Sequence, residues 1–484
     1  MIKSTAVEIM RSFSKEDISR FGELAASPYF NKKSAVLKLY NLLKKNWPAY
    51  DEKKITKEAL WEKLYPGKQY NYGVMKNLIH DITKLAEEYL VQAGMKNSGR
   101  SPEFLIRELL RRENYRLFED RLSRFGKEAV NPGTDALTNY NKKIFYHNMR
   151  NLHLIGSTMS MPFLREEAID KVSHFMISYF ETFSHLCEED LTLDASTDIK
   201  FAGYVADFWN SNVTRDFSDP VLELYLMGFS LLRDLKNEAL FNTFNESLEG
   251  RRSNLNRLDI IKLHACKILF YEHAYRNGNS NFEKDFLGLW LDIIENNLYS
   301  EFDGSFLDLA LFRNVIILSS RNKDHYAMEK FIESGIKKLK EPHRVAAKNY
   351  ALMMLHSLKK DFDKTLYYAA KTSYGDLFDQ SRENLYFKND IKTCSVKSSY
   401  EAGHFEEVYS LIDSFGHFLR NTKLLPEDIR STRAPFLKIL KELNSLNFSY
   451  DAYKLDEIEQ RAEKMTFQKN WLKLRIMELR SRNE

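Results

Sequence analysis

Proline and glycine are scarce in this 484-residue chain, at 10 and 18 residues. Sheets joined by tight hairpins need many of both, whereas long helices joined by short turns need few. The three cysteines, Cys187, Cys266 and Cys394, lie far apart and form no CxxC pair. That excludes a disulfide framework and fits a reducing compartment. No stretch approaches the ~18 uncharged apolar residues of a membrane span. The opening residues Met1–Glu8 lack the apolar segment of a signal peptide. These absences predict a cytoplasmic protein with no membrane partner. No charge sign dominates either: 72 Lys and Arg against 68 Asp and Glu leave a net +4, too balanced to imply nucleic acid by itself.

What the chain does hold is core material. Hydrophobic residues make up 43%, with 33 Phe and 26 Tyr, which excludes disorder, and the scarcity of Gly, Pro and Val indicates an all-α composition. Residues 1–90 carry 16 basic and 11 acidic side chains, so the mild positive bias belongs to the N-terminal part. There Ser14 reads as a helix N-cap with Asp17 three residues on. Ser27-Pro28 ends that helix. Thr56 caps a short helix that Pro66-Gly67 breaks, and a long helix follows over Tyr72–Leu90. Gly94–Ser101 is the predicted boundary between an N-terminal helical module (1–95) and the rest (101–484). Ser101-Pro102, Asp219-Pro220 and Glu341-Pro342 read as helix starts. Asn131-Pro132-Gly133 and Arg276-Asn277-Gly278 read as turns. A continuous final helix is expected over Leu455–Leu479, within a capping region spanning 426–480.

From about Ser101 onward, helices of roughly 12–20 residues alternate with turns of a few residues, the connection length of antiparallel neighbours. The clearest bend is Ser399-Tyr400-Glu401-Ala402-Gly403-His404-Phe405, with Gly403 at the turn and Phe405 opening the next helix. A weaker copy lies 43 residues earlier, where Phe362 stands in the place of Phe405 and Lys360 in that of the glycine. One hairpin recurring at a fixed period is the signature of a helical repeat array, whose usual product is a binding surface.

On Gly403, Phe405 and Phe362, the hairpins at 345–420 resemble tetratricopeptide-like repeats. The spacing of 43 departs from the 34 usual in that family. The resemblance implies a right-handed α-solenoid of antiparallel helical hairpins that holds a protein or peptide. The chain as a whole resembles an uncharacterised all-helical group from Bacteroidota. Phe13-Ser14-Lys15-Glu16, Ser27-Pro28-Tyr29-Phe30-Asn31-Lys32, Leu64-Tyr65-Pro66-Gly67-Lys68 and Asp413–Arg420 carry that likeness. It implies an architecture and no chemistry.

Signatures of catalysis are missing. There is no HExxH, no phosphate-cradling GxGxxG or GxxxxGK[ST], and no GxSxG elbow. His185/Cys187 and His264/Cys266 are two residues apart, on different helix faces, and His147/His153 also diverge. His174 and His185 share a face but lie three turns apart, too far to bind one ion. All of these read as packing residues, as does the aromatic stripe Phe175, Tyr179, Phe180 and Phe183. The expectation is a non-enzymatic interaction scaffold with no cofactor and no metal. The alternative comes from another class. The short helix at Thr56, the turn and the long helix to Leu90 resemble the helix-turn-helix of winged-helix regulators. Lys76, Asn77, His80 and Lys84 on the second helix would then meet DNA phosphates or base edges. Asp81, Glu87 and Glu88 near that surface oppose this, the turn is longer than usual, and no β-wing follows. An ordinary packing helix is the competing reading of the same residues.

Overall fold

In a computed structural model, the structure describes residues 4–50, 55–128, 133–154, 161–193, 201, 203–205, 208, 219–277, 279–301, 304–372, 382–422, 425 and 427–483. Among these residues there are helices and no strand, so the protein is all-α. The expected turns at Asn131-Pro132 and Gly278 lie outside the described residues. The chain divides into two compact units: residues 1–130 with 142–168, and residues 131–141 with 169–484.

The first unit begins with α1 (Thr5–Arg11), α2 (Lys15–Ala26), α3 (Ser34–Lys44), α4 (Lys57–Leu64) and α5 (Tyr72–Asn97). Local chemistry sets their ends. The Ser14 hydroxyl accepts from the Asp17 N–H at 3.1 Å, and the Asp17 carboxylate accepts from the Ser14 N–H at 2.9 Å. This reciprocal cap satisfies two donors that the first helical turn leaves orphaned. Thr56 accepts from the Ala59 N–H in the same way. α5 runs straight through Gly94 to Asn97. A single helical glycine costs only about 1 kcal/mol, and nothing lies within contact distance of Gly94 to bend the helix there. Met75, Leu78, Ile82, Leu85, Ala86 and Tyr89 face inward, and α5 packs on α1, α2 and α3, whereas α4 packs on α3. Phe13, Phe21, Tyr40 and Tyr89 interlock, edge-on or tilted, at centroid separations of 5.1–5.8 Å. α6 (Ser101–Arg111), α7 (Tyr115–Glu128) and part of α8 (Ala136–His153) enclose a smaller core of Ile106, Phe118, Leu122, Phe125, Phe145 and Met149. Ser101 is the first helical residue rather than the cap; Arg100 precedes it and makes no side-chain cap.

The second unit takes the start of α8 and most of α9 (Met161–Leu193). It continues through α10 (Pro220–Arg233), α11 (Glu238–Arg251), a 3-10 turn (Arg252–Asn254), α12 (Arg257–Arg276) and α13 (Glu283–Glu295). Then follow α14 (Leu309–Arg321), α15 (His325–Lys338), α16 (Glu341–Leu358), α17 (Phe362–Lys371), α18 (Arg382–Glu401), α19 (Phe405–Asn421) and α20 (Glu427–Ser445). The continuous final helix is not observed. It divides into α21 (Ala452–Glu463) and α22 (Lys469–Ser481), because Gln468 sits at φ 56°, a left-handed setting that no α-helix carries through. Each helix from α10 to α22 packs on the next, and α10 also meets α12, α14 meets α16, and α16 meets α18.

Four of the turns are the same object. Arg112-Glu113-Asn114, Asn322-Lys323-Asp324, Lys359-Lys360-Asp361 and Ala402-Gly403-His404 each join two helices, with the middle residue at φ 58°, 53°, 61° and 79°. In each, the following N–H donates to the carbonyl five residues back: Asn114 to Leu109, Asp324 to Ser319, Asp361 to His356, His404 to Ser399, all at 2.9–3.0 Å. This is a Schellman closure. Asp324 and Asp361 then cap the second helix through their carboxylates. The copy at Lys323 escaped the sequence reading because lysine there looks like any surface cation.

Left-handed angles strain an L-residue by about 1–2 kcal/mol, and glycine escapes this. Lys360→Gly should therefore raise the urea unfolding midpoint, with a gain of roughly 0.5 kcal/mol once the extra freedom of the unfolded glycine is offset. Gly403→Ala should lower it by about 1 kcal/mol, although a Cβ there meets no atom. Equal, unchanged midpoints would show that these angles carry no strain.

Candidate functional site

Two regions hold the residues singled out by sequence. The first is the outward face of α5. Burial of Met75, Leu78, Ile82 and Leu85 turns Lys76, Asn77, His80 and Lys84 to the exterior, and all four are exposed. None has a hydrogen-bonding or ion-pair partner among the described residues. Lys76, His80 and Lys84 follow one another at four-residue intervals, so they form one row along the helix. Of the opposing acids, Asp81 accepts from the Lys33 ammonium at 2.7 Å, and Glu88 accepts from Gln92 at 2.8 Å. Glu87 stays exposed on the same face. At the inner side of α5 the Tyr89 hydroxyl donates to Asp17 at 2.7 Å. Burial, followed by that carboxylate, pushes the phenol up to about 12.

The second region is the elbow at Gly403. Phe405 meets Tyr400 at 5.5 Å and Phe448 at 6.1 Å, and its carbonyl accepts from Asn444 at 2.9 Å. Phe362, at the matching place in the earlier hairpin, is half-buried. A cleft of about 220 Å³ opens beside the elbow, lined by Tyr400, Phe405, Asn447, Arg475 and Arg482 among others. Its charges are matched: Glu401 takes Arg475 in a largely buried ion pair and accepts from the Trp471 N–H at 2.6 Å, while Glu478 takes the other edge of Arg475 at 2.8 Å. These partners tie α18 to α22 while the buried Arg475 Nε stays unpaired, and Arg482 has no ion pair among the described residues.

Neither region assembles a nucleophile with a base. Among the described residues no three His, Cys, Asp or Glu side chains converge as metal ligands, and no helix is long and apolar enough to cross a membrane. Cys266 is buried and Cys187 half-buried. His153 pairs with Glu119 at 2.9 Å, and His147 faces Glu166 at 3.5 Å. Phe180 and Phe183 are buried, and the rings of Phe175, Tyr179 and Phe183 run in a column 5.9 and 6.1 Å apart.

His264 is the histidine whose surroundings stand out. It is 2% exposed, and both ring nitrogens lack a hydrogen-bond partner. Lys267, Glu249, Arg252 and Asp292 surround it in an ion-paired group: Lys267–Glu249 at 2.9 Å and Arg252–Asp292 at 2.6 Å. Burial, then the Lys267 and Arg252 charges, lower its pKa to about 4. Local sequence gave no sign of this, since the ion-paired group comes from three helices and a turn between them.

No protein-family model matches the chain, and neither does any curated protein or solved structure.

The unfolded chain binds a proton at His264 near pH ~6.5, and the folded protein refuses it until about pH 4. Stability should therefore fall as pH drops through that window, by up to about 3 kcal/mol from this residue. Urea midpoints from pH 7 to pH 4 check this. His264→Leu should flatten the slope relative to the parent, and an unchanged slope would remove His264 as its source.

Proposed function

We propose that the protein is a non-enzymatic interaction scaffold of the helical-repeat type. In this reading the hairpins of the second unit stack as a right-handed, tetratricopeptide-like α-solenoid that holds a protein or peptide, without a cofactor. The recurrence of one elbow at Lys323, Lys360 and Gly403 supports it, together with the contacts between alternate helices α14, α16 and α18. Repeats of this kind place equivalent side chains in rows, and rows make extended binding surfaces. Tyr326 and Val345, 73% and 70% exposed, are apolar groups that the array leaves outside. Tyr367 joins them, with the Lys371 ammonium 4.4 Å above its ring. Tyr326→Ala, Val345→Ala and Tyr367→Ala together should leave the melting temperature within about 2 °C. They should also weaken the complex with a partner isolated from the native organism by at least roughly ten-fold. Turnover of a small molecule by the purified chain would overturn the scaffold reading.

A second reading is favoured by the exposed, unpartnered row on α5. There Lys76, Asn77, His80 and Lys84 contact nucleic acid, as in a DNA-binding regulator. The first unit holds 29 basic and 19 acidic side chains, a net of +10, while the second holds 43 and 49, a net of −6. Lys76→Glu with Lys84→Glu should weaken binding to duplex DNA and reduce the dependence of affinity on salt by roughly two phosphate contacts. Duplex affinity unaffected by this pair of substitutions would dismiss the reading.

A further inference from the structure

The segment between α2 and α3, Ser27-Pro28-Tyr29-Phe30-Asn31-Lys32-Lys33, turns two aromatic rings outward. Tyr29 is 86% exposed and Phe30 is exposed beside it, the rings edge-on at 5.0 Å. Exposed rings usually belong to loose loops, but this loop is fastened at every step. The Phe30 and Asn31 N–H groups donate to the Ser27 carbonyl at 3.1 and 2.9 Å. The Asn31 amide donates to the Ala25 carbonyl at 2.8 Å, and its oxygen accepts from the Lys33 N–H at 2.8 Å. The Lys33 ammonium then reaches α5 at Asp81. The fold thus holds a large apolar surface in water in one fixed pose and makes no use of it internally.

Lys33 is the bridge between this loop and the α5 row. Asp81 stands four residues after Asn77 and three before Lys84, so all three are neighbours on the helix surface. Lys33 therefore cancels the Asp81 charge between Asn77 and Lys84, and Lys32 is exposed with no partner among the described residues. Lys76, His80 and Lys84 extend the row over about 12 Å. Flat rings presented in a fixed pose beside a track of cations form the arrangement that stacks bases while following a phosphate backbone.

We propose that the Tyr29–Lys33 loop and the α5 row together bind single-stranded nucleic acid. Tyr29 stacks an unpaired base, and Lys32, Lys76 and Lys84 follow the phosphates, with Lys33 neutralising the Asp81 charge between them. The inference shares the α5 lysines with the nucleic-acid reading above and adds the loop. Unpaired bases are required because a duplex hides its ring faces in its own stack. α4 packs chiefly on α3, and α5 chiefly on α1, α3 and α2, whereas in a helix-turn-helix the second helix is presented to a groove from its packing on the first. Asn77, His80 and the exposed Glu87 make the surface too polar for a lipid interface. Glu87 also marks where the track ends, one turn beyond Lys84.

The test uses the full chain with fluorescent oligo(dT), oligo(U), a duplex of equal length, and phosphatidylserine vesicles, at about 50 and 200 mM salt. The single strands should bind, and more weakly at the higher salt. Tyr29→Ala should weaken single-strand binding roughly five- to a hundred-fold with the salt dependence unchanged. Tyr29→Trp should restore it. Lys76→Glu with Lys84→Glu should weaken binding and reduce the salt dependence. Tyr29 is almost wholly in solvent, so unchanged thermal melts for its variants will confirm that folding is intact. Duplex binding without single-strand binding overturns the inference and leaves the α5 reading standing, whereas binding of neither overturns both. Single-strand affinity indifferent to Tyr29→Ala, or vesicle capture that oligo(dT) does not compete away, also overturns it.

Discussion

Asp390 is the residue on which the arrangement of the later helices turns. Its carboxylate, on α18, accepts two hydrogen bonds from the Arg313 guanidinium of α14 at 2.6 and 3.0 Å, and one from the Tyr350 hydroxyl of α16 at 2.9 Å. Taking a carboxylate and a guanidinium out of water costs several kcal/mol per ion, offset only when the geometry is good and the lone pairs are filled. Three helices must therefore hold one mutual setting, or the charges are stranded. The apolar contacts around them are non-directional and tolerate rearrangement; the fork of Arg313 does not. Burial and the Asp390 charge both push the Tyr350 phenol far up, so its hydroxyl stays a donor across the physiological range.

The same device appears earlier in the chain. Asp259 on α12 is 2% exposed. It accepts from the Tyr225 hydroxyl of α10 at 2.6 Å and from the Ala136 N–H at the start of α8 at 3.1 Å. Here the third donor is a helix N-terminus, whose orphaned N–H and partial positive charge suit a carboxylate. In both places an aspartate takes a tyrosine from the helix two before it and a second donor from a still earlier helix, α14 in one case and α8 in the other. His264 shows what happens without such partners: it avoids charge altogether, and stability becomes dependent on pH. The Glu401–Arg475–Trp471 group carries buried ion pairing to the C-terminal helix, with the Arg475 Nε left unpaired.

What local chemistry controls was legible in the sequence. Ser14 with Asp17, Thr56, and Asp219 before Pro220 mark helix starts because the capping atoms come from within three residues of the donors they satisfy. The elbow at Gly403 was legible for the same reason, glycine being the residue that adopts φ 79° without strain. Lys323, Glu113 and Gln468 take the same hand of backbone with ordinary side chains, so two elbows and the break between α21 and α22 went unread. Gly94 misled in the opposite direction, since one glycine in the exposed last turns of α5 costs too little to break the helix. Asp259 and Asp390 could not be picked out among 68 acidic residues, because their partners lie 34 to 123 residues away. For the candidate site, helical spacing placed Lys76, Asn77, His80 and Lys84 on one face, but the Lys33–Asp81 pair that joins the Tyr29 loop to that face is a contact across 48 residues.

Both units are built with one local vocabulary. The elbow at Glu113 in the first closes exactly as those at Lys323, Lys360 and Gly403 do in the second, with the same five-residue hydrogen bond. Construction therefore does not explain why one unit carries a net +10 and the other −6. Folding gains little from surface charge, since exposed ion pairs contribute about 0–1 kcal/mol, and an excess of one sign only adds repulsion. Pairing has in fact been arranged where it is cheap: Arg111 and Arg112 share Glu108, and Arg124 takes Asp120, each within one helical turn. Against that background the cations of α5 left without acids, beside rings held rigidly in water, are a departure that stability does not ask for. The surplus belongs to the surface, where the proposed binding of nucleic acid would give it a use that folding does not.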